Sequence, residues 1–129
     1  MDKYQKVILE IAIRYARDKV KALKQKNKRP IPPLLMVHGG AGSGKSTVIS
    51  VLARWCHHIL QKPGDDPDCP YIVISAFTGS AACNVNGQTL HSLFSFNFGS
   101  EFITLSEKIR EEKRKNLRNL HLLIIDEIS

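Results

Sequence analysis

Two short stretches carry residue types whose spacing can do chemistry. The first is Gly39-Gly40-Ala41-Gly42-Ser43-Gly44-Lys45-Ser46-Thr47. It fits the pattern G-x-x-x-x-G-K-S/T, with Gly39, Gly44, Lys45 and Ser46 at the fixed positions. Glycines let a backbone wrap closely around phosphates with its N–H groups turned inward. A helix beginning near Lys45 adds the positive end of its dipole. Lys45 is then placed for the β- and γ-phosphates of ATP, and the Ser46 hydroxyl for Mg²⁺. The second stretch is "HLLIIDEIS", in which an apolar run leads into two adjacent carboxylates, Asp126 and Glu127. A phosphate-loop site needs a carboxylate for the shell of its Mg²⁺, and Asp126 suits that role. Glu127 is placed to orient and deprotonate the attacking water, which together with Lys45 makes it the catalytic candidate. The pair points to hydrolysis of the nucleotide rather than its storage.

These groups need elements that deliver them to one place. Residues 2–27 read as an amphipathic helix with Tyr4, Val7, Ile8, Ile11, Tyr15 and Leu23 recurring at helical spacing. "RPIPP" breaks it, because proline lacks the N–H that a helix needs. "LLMV" (34–37) reads as a short buried strand leading into the phosphate loop, and a helix follows from about Lys45 to Gln61. "KPGDDPDCP" (62–70) is an exposed connector and "YIVISAF" (71–77) a second strand. A short helical stretch, an Asn86-Gly87 turn and another short helix through "LHSLFSF" come next. "SEKIREEKRKNLRNL" (106–120) is a charged helix, and "HLLIID" (121–126) a third strand. Apolar strands alternating with helices predict an α/β fold with a parallel sheet. Residues 1–33 are expected to form a helix and linker, and residues 34–129 a partial phosphate-loop domain. Since parallel strands share a C-terminal edge, Asp126 is expected on the same edge as Gly39–Lys45.

Composition narrows the partners. The 129 residues are 43% hydrophobic and 24% charged, which excludes a disordered chain and suits a modest core. A formal net charge of +7 favours anionic partners, whether nucleic acid or nucleotide. Cys56, Cys69 and Cys83 are three, widely spaced and without a C-x-x-C pair, so no disulfide framework or zinc ribbon is expected. Cys56-His57-His58 with Cys69 matches no common zinc spacing. No apolar run is long enough to span a bilayer, so no membrane partner is expected.

The stretch between the two chemical segments is more specific. Thr78-Gly79-Ser80-Ala81-Ala82 and Gly87-Gln88-Thr89-Leu90-His91-Ser92-Leu93-Phe94 resemble the motifs that follow the phosphate loop in PIF-one-type helicases. "IIDEIS" is similar to that family's acidic motif. The three motifs stand in the family's order and cover most of residues 34–129. The resemblance implies a RecA-like phosphate-loop ATPase fold and an ATP-dependent helicase that moves 5′ to 3′ on single-stranded DNA, in DNA repair and recombination. It implies ATP contacts along residues 39–47, metal contacts from Ser46 and Asp126, and DNA contacts from Thr78, Gly79, Thr89 and His91. Phe94 and Phe96 suit either stacking on bases or a plain core. The family's adenine-reading glutamine upstream of the loop has Gln5 as its candidate, since a side-chain amide both donates and accepts. Phe77 departs from the smaller residue often found there. A nuclear location is implied, with cytoplasm or mitochondrion as alternatives, and a monomer is the default. A switch-type ATPase, or a nucleotide-binding helicase remnant without turnover, would share the phosphate loop. The family's later sensor glutamine, second motor lobe and arginine finger are not found in these 129 residues. Turnover by the chain alone is therefore expected to stay near background.

Overall fold

The computed structural model describes residues 1–26, 28–97, 99, 101 and 103–126. They fall into two compact units, residues 1–62 and 63–129.

The first unit holds a pair of helices, and the chain between them ends in the phosphate loop. Helix α1 spans Lys3–Gln25 and helix α2 spans Lys45–Leu60. Asp2 starts α1 through a reciprocal cap. Its carboxylate accepts from the Gln5 N–H (2.9 Å), and the Asp2 N–H donates to the Gln5 side-chain oxygen (3.1 Å). Lys26, in the left-handed conformation, ends the helix. Leu9, Ala12 and Ala16 are buried along α1, and Val48, Leu52, Cys56 and Leu60 along α2. The predicted stripe on α1 is therefore corrected. Tyr4, Val7, Ile11 and Leu23 are exposed, and the neighbouring stripe with the smaller alanines faces inward. Small side chains let two helix backbones approach closely, so shape outweighs the larger residues' hydrophobicity.

Residues 34–37 do not form the expected strand. Leu34 is 98% exposed and Met36 73%, and no strand pairing among the described residues includes this run. A four-residue parallel strand cannot satisfy its own N–H and C=O groups, so an apolar run becomes a strand only where a sheet edge accepts it.

The second unit is a three-stranded parallel sheet with short helices. Strand β1 spans Ile72–Ala76, β2 spans Gln88–Thr89 and β3 spans Leu122–Asp126, in the order β2-β1-β3. Helix α3 (Gly79–Asn84) and helix α4 (Leu90–Phe94) flank β2 in the chain, and helix α5 (Glu107–Asn116) precedes β3. The central strand carries the buried positions Val73, Ser75 and Ala76, with Ala81 and Ala82 of α3 packed on Ala76. Ser75 is fully buried, and its hydroxyl donates to the Gln88 carbonyl at 2.9 Å, which satisfies the polar group and ties β2 to β1. The Asn86-Gly87 turn forms as expected, with Asn86 at φ 52°. Gly87 lies directly against β1, where a Cβ would collide with the Ile74 carbonyl. Gly87→Ala is expected to cost about 1–3 kcal/mol of stability, because backbone cannot move aside as a side chain can. An unchanged midpoint in urea titration would contradict that close approach.

The connector before β1 is pinned to the end of α5. The Asp66 carboxylate accepts from the Asp68 N–H at 2.9 Å and lies 3.6 Å from the Arg118 guanidinium. The Asp68 N–H first, and then the Cys69 thiol and Arg118, hold the Asp66 carboxyl below its usual value. The buried Cys69 thiol also faces the Lys115 carbonyl at 3.4 Å.

Candidate functional site

The phosphate loop is a tight backbone curl at the start of α2. The Ser43 N–H donates to the Gly40 carbonyl at 3.2 Å. Gly42 and Gly44 have φ of 75° and 81°, the left-handed region that glycine enters without strain. Gly44 is the N-cap of α2 and offers no side chain to the first turn, so the helix's initial N–H groups have no capping oxygen. No acidic residue lies in that turn either, and the helix dipole leaves this end positive. The Lys45 ammonium reaches back over the curl. It donates to the Gly39 and Gly40 carbonyls, the latter at 3.0 Å, and to the Ser43 hydroxyl at 3.3 Å. The Lys45 cation and the uncapped first N–H groups of α2 thus lie at the same helix end, an arrangement that suits phosphate oxygens. The tightness is measurable. A Cβ on Gly39 would stand 2.6 Å from the Ser43 Oγ, and one on Gly44 2.8 Å from the Gln5 Nε2. Ser46 and Thr47 follow on the exposed first turn of α2.

Gln5, far away in sequence, sits on this loop. Its Nε2 donates to the Ser43 carbonyl at 2.9 Å while its Oε1 accepts from the Asp2 N–H. The amide's acceptor side is therefore engaged by the helix cap and one of its two donors by the loop. Asp2 was missed as a site residue in the sequence. The signal was present as D-x-x-Q, a capping-box spacing that fixes the Gln5 side chain. Gln5→Glu keeps the acceptor for the Asp2 N–H but replaces the donor to Ser43 with a negative charge. It is expected to leave α1 stable while weakening ATP and GTP binding alike, if Gln5 acts by holding the loop. A loss confined to ATP, measured by calorimetry with both nucleotides, would instead assign Gln5 to the adenine.

In the second unit, register assembles the other candidates. Ala76, the last residue of β1, pairs with Thr89 on one side and with Asp126 on the other. Thr89, Ala76 and Asp126 thus form one row along the C-terminal edge of the sheet. The expectation that this edge also carries residues 39–45 does not follow from the sheet, because 34–37 is not one of its strands. Thr78 caps α3 by accepting from the Ala81 N–H at 3.2 Å, and Thr89 caps α4 by accepting from the Ser92 N–H at 3.2 Å. A hydroxyl that accepts still has its own hydrogen to donate, so both threonines hold their helices and can also donate outward. Gly79 is exposed beside Thr78, and a Cβ there would meet nothing within 4 Å. His91 contacts Phe96 edge to face, with centroids 6.0 Å apart, and Phe94 lies 5.5 Å from Phe96. Phe96 is 54% exposed, so it is not the core residue that one reading of the sequence allowed. Glu127 lies outside the described residues.

A glycine curl with its lysine at a helix start, together with a parallel sheet flanked by helices, defines a P-loop nucleoside-triphosphatase fold of the partial RecA-like kind. The chain belongs to the AAA domain family, whose profile matches residues 21–129. It is similar to the ATP-dependent DNA helicase PIF1 of Emericella nidulans, 36% identical over 94 residues, covering 70% of this chain and 12% of that protein. PIF1 of Candida albicans is 35% identical over 98 residues, covering 74% of this chain and 10% of the relative. The ATP-dependent DNA helicase RRM3 of Saccharomyces cerevisiae is 35% identical over 94 residues, covering 70% and 12%. The similarity to PIF1-type helicases read from the motifs is thus carried by several relatives. The chain spans about a tenth of the length of these relatives. No solved structure gives a significant match. Among the described residues, no helix is long and apolar enough to cross a membrane.

Proposed function

We propose that this chain supplies the nucleotide-binding part of an ATP-dependent DNA helicase that moves 5′ to 3′ on single-stranded DNA and serves genome maintenance, in the nucleus or mitochondrion. The observation that carries the reading is the in-register row Thr89–Ala76–Asp126. Thr89 of the resembled segment and Asp126 lie on one edge, a single strand apart, which supports the reading. Residues 39–47 bind the phosphates of ATP, and Lys45 faces the terminal ones. Gly39, Gly42 and Gly44 fit this role because the curl needs positive φ at Gly42 and Gly44 and leaves no room for a Cβ at Gly39 and Gly44. Mg²⁺ takes oxygen ligands, and by the resemblance alone Ser46 and Asp126 are the residues that would hold it. When bound, that ion neutralises charge on the phosphates. Glu127 orients the attacking water and takes its proton. Thr78, Gly79, Thr89 and His91 contact the strand's backbone and bases.

The test of the nucleic-acid half is titration of the protein with labelled oligothymidylate across a range of salt. Affinity is expected to fall steeply with salt, with a log–log slope of about −0.7 for each phosphate neutralised. His91→Ala should weaken binding, and duplex of the same length should bind less well. Salt-independent binding, or a preference for duplex, would remove the proposed track.

A further inference from the structure

Helix α5 carries five basic residues against three acidic ones, and they are not evenly spread. Arg110, Lys113, Arg114 and Leu117 recur at i, i+3, i+4 and i+7, which puts them on one face. That face meets Phe94 of α4 and Leu105 across a groove of about 340 Å³. The volume lies within the range of about 300–1,000 Å³ typical of clefts for small ligands. The groove is held in shape from both sides. The Lys113 ammonium donates to the Ser92 carbonyl at 3.1 Å, which ties α5 to α4. An Arg110 guanidinium nitrogen donates to the Leu105 carbonyl at 3.3 Å. Arg114 pairs with Glu111 at 2.6 Å, but both side chains are more than 60% exposed, and a pair so wet is readily exchanged for a stronger acceptor. Each guanidinium has five donors, so Arg110 and Arg114 retain donors after these contacts. The groove's apolar lining is Phe94, Leu105 and Leu117, and beside it Phe96, half exposed, meets Phe94 with the rings tilted.

We infer that the α4–α5 groove is a second nucleic-acid contact, in which Arg110 and Arg114 take backbone phosphates of a single strand and Phe94 with Phe96 offers the stacking face for a base. Charge complementarity selects the occupant. Cations beside the Phe94–Phe96 ring pair match a polymer that alternates phosphate and unpaired base. A duplex keeps its bases stacked away from such a ring pair, and an acidic peptide would use the cations but not the rings. The inference rests on the proposed binding of single-stranded DNA. It extends that site from the Thr78–His91 segment along α4 to a helix that no motif marked. Lys113 acts as a positioning residue, since its ammonium holds the groove together.

The experiment compares Arg110→Glu/Arg114→Glu with Arg17→Glu/Lys21→Glu, a pair of exposed residues on α1 that makes the same change in net charge. Each is titrated with oligothymidylates of about eight and about sixteen nucleotides, lengths within the span of reported single-strand sites. The α5 pair is expected to lose about tenfold or more in affinity for the longer strand, and the salt slope should shrink by about 1.4, two phosphates' worth. The α1 pair should stay close to wild type. A 5-iodouracil strand is expected to cross-link to the peptide containing Phe94 and Phe96, and Phe96→Leu should reduce the yield. Equal losses in the two pairs would reduce the effect to net charge and overturn the groove. Unchanged binding in the α5 pair would overturn it too, while leaving the Thr78–His91 contact standing. Tighter capture of polyglutamate than of oligothymidylate by the wild type would replace the proposed occupant with an acidic polypeptide. No binding of single strands by the wild type would remove the DNA reading and the groove together.

Discussion

Replacing Lys45 by alanine is expected to weaken ATP binding by about tenfold or more, read by calorimetry in the presence of magnesium. The reason is visible in the loop. The ammonium lies over the curl with the Gly39 and Gly40 carbonyls and the Ser43 hydroxyl as its neighbours. These are weak, neutral acceptors compared with a charged phosphate, so the lysine gains by exchanging them. Alanine removes the one side-chain cation of the curl and leaves only backbone N–H groups to face several negative charges. The helices should hardly notice. Lys45 is the first residue of α2, and alanine is the best helix former there, so the variant should unfold at nearly the same denaturant concentration. Equal ATP affinity in wild type and variant would remove the phosphate-loop assignment. Lost affinity with lost helical signal would mean only that the fold had failed, and Lys45→Met, which keeps the stem's packing, then decides.

The second large effect concerns turnover. Glu127→Gln is expected to lower ATP hydrolysis by about 10²–10⁴-fold in an active form of the protein, the typical contribution of a positioned general base. ATP affinity should change little, because glutamine keeps the size and loses only the basic oxygen. Asp126→Asn should differ from it in kind. A carboxylate proposed as a metal ligand affects magnesium first, so its loss should raise the magnesium concentration needed for half-maximal binding. Single-turnover measurements decide the role of Glu127: unchanged hydrolysis in Glu127→Gln would remove that residue from the chemistry.

Much of the candidate site was legible because it is local. The phosphate loop announces itself by glycine spacing, since the positive φ at Gly42 and Gly44 is a demand that a single residue type meets cheaply. Strands β1 and β3 and helix α2 were readable for a related reason. Their apolar runs and periods depend on neighbours only a few residues away, and their observed bounds fall within about two residues of the expected ones. The turn at Asn86-Gly87 was equally local, but its close approach to Ile74 was not.

What only the tertiary structure decided is everything that depends on pairing across the chain. Leu34–Val37 carries as strong an apolar signal as either true strand, yet it has no strand partner among the described residues. Hydrophobicity says that a segment prefers burial and is silent on which edge will hydrogen-bond to it. The inward face of α1 differs from the expected stripe, since Leu9, Ala12 and Ala16 are buried while Tyr4, Val7 and Ile11 are exposed. Gln5 was named from a resemblance, but that its amide rests on the Ser43 carbonyl is a contact across 38 residues. The row Thr89–Ala76–Asp126 joins three separate segments through register alone. The groove between α4 and α5 likewise draws on a contact across 21 residues, from Lys113 to Ser92. By itself the sequence determined the chemistry, since residue type and short spacing set which groups are available. The tertiary structure decided which of them are neighbours, because long-range pairing depends on the shape and free hydrogen-bonding edges of the whole unit rather than on any local pattern.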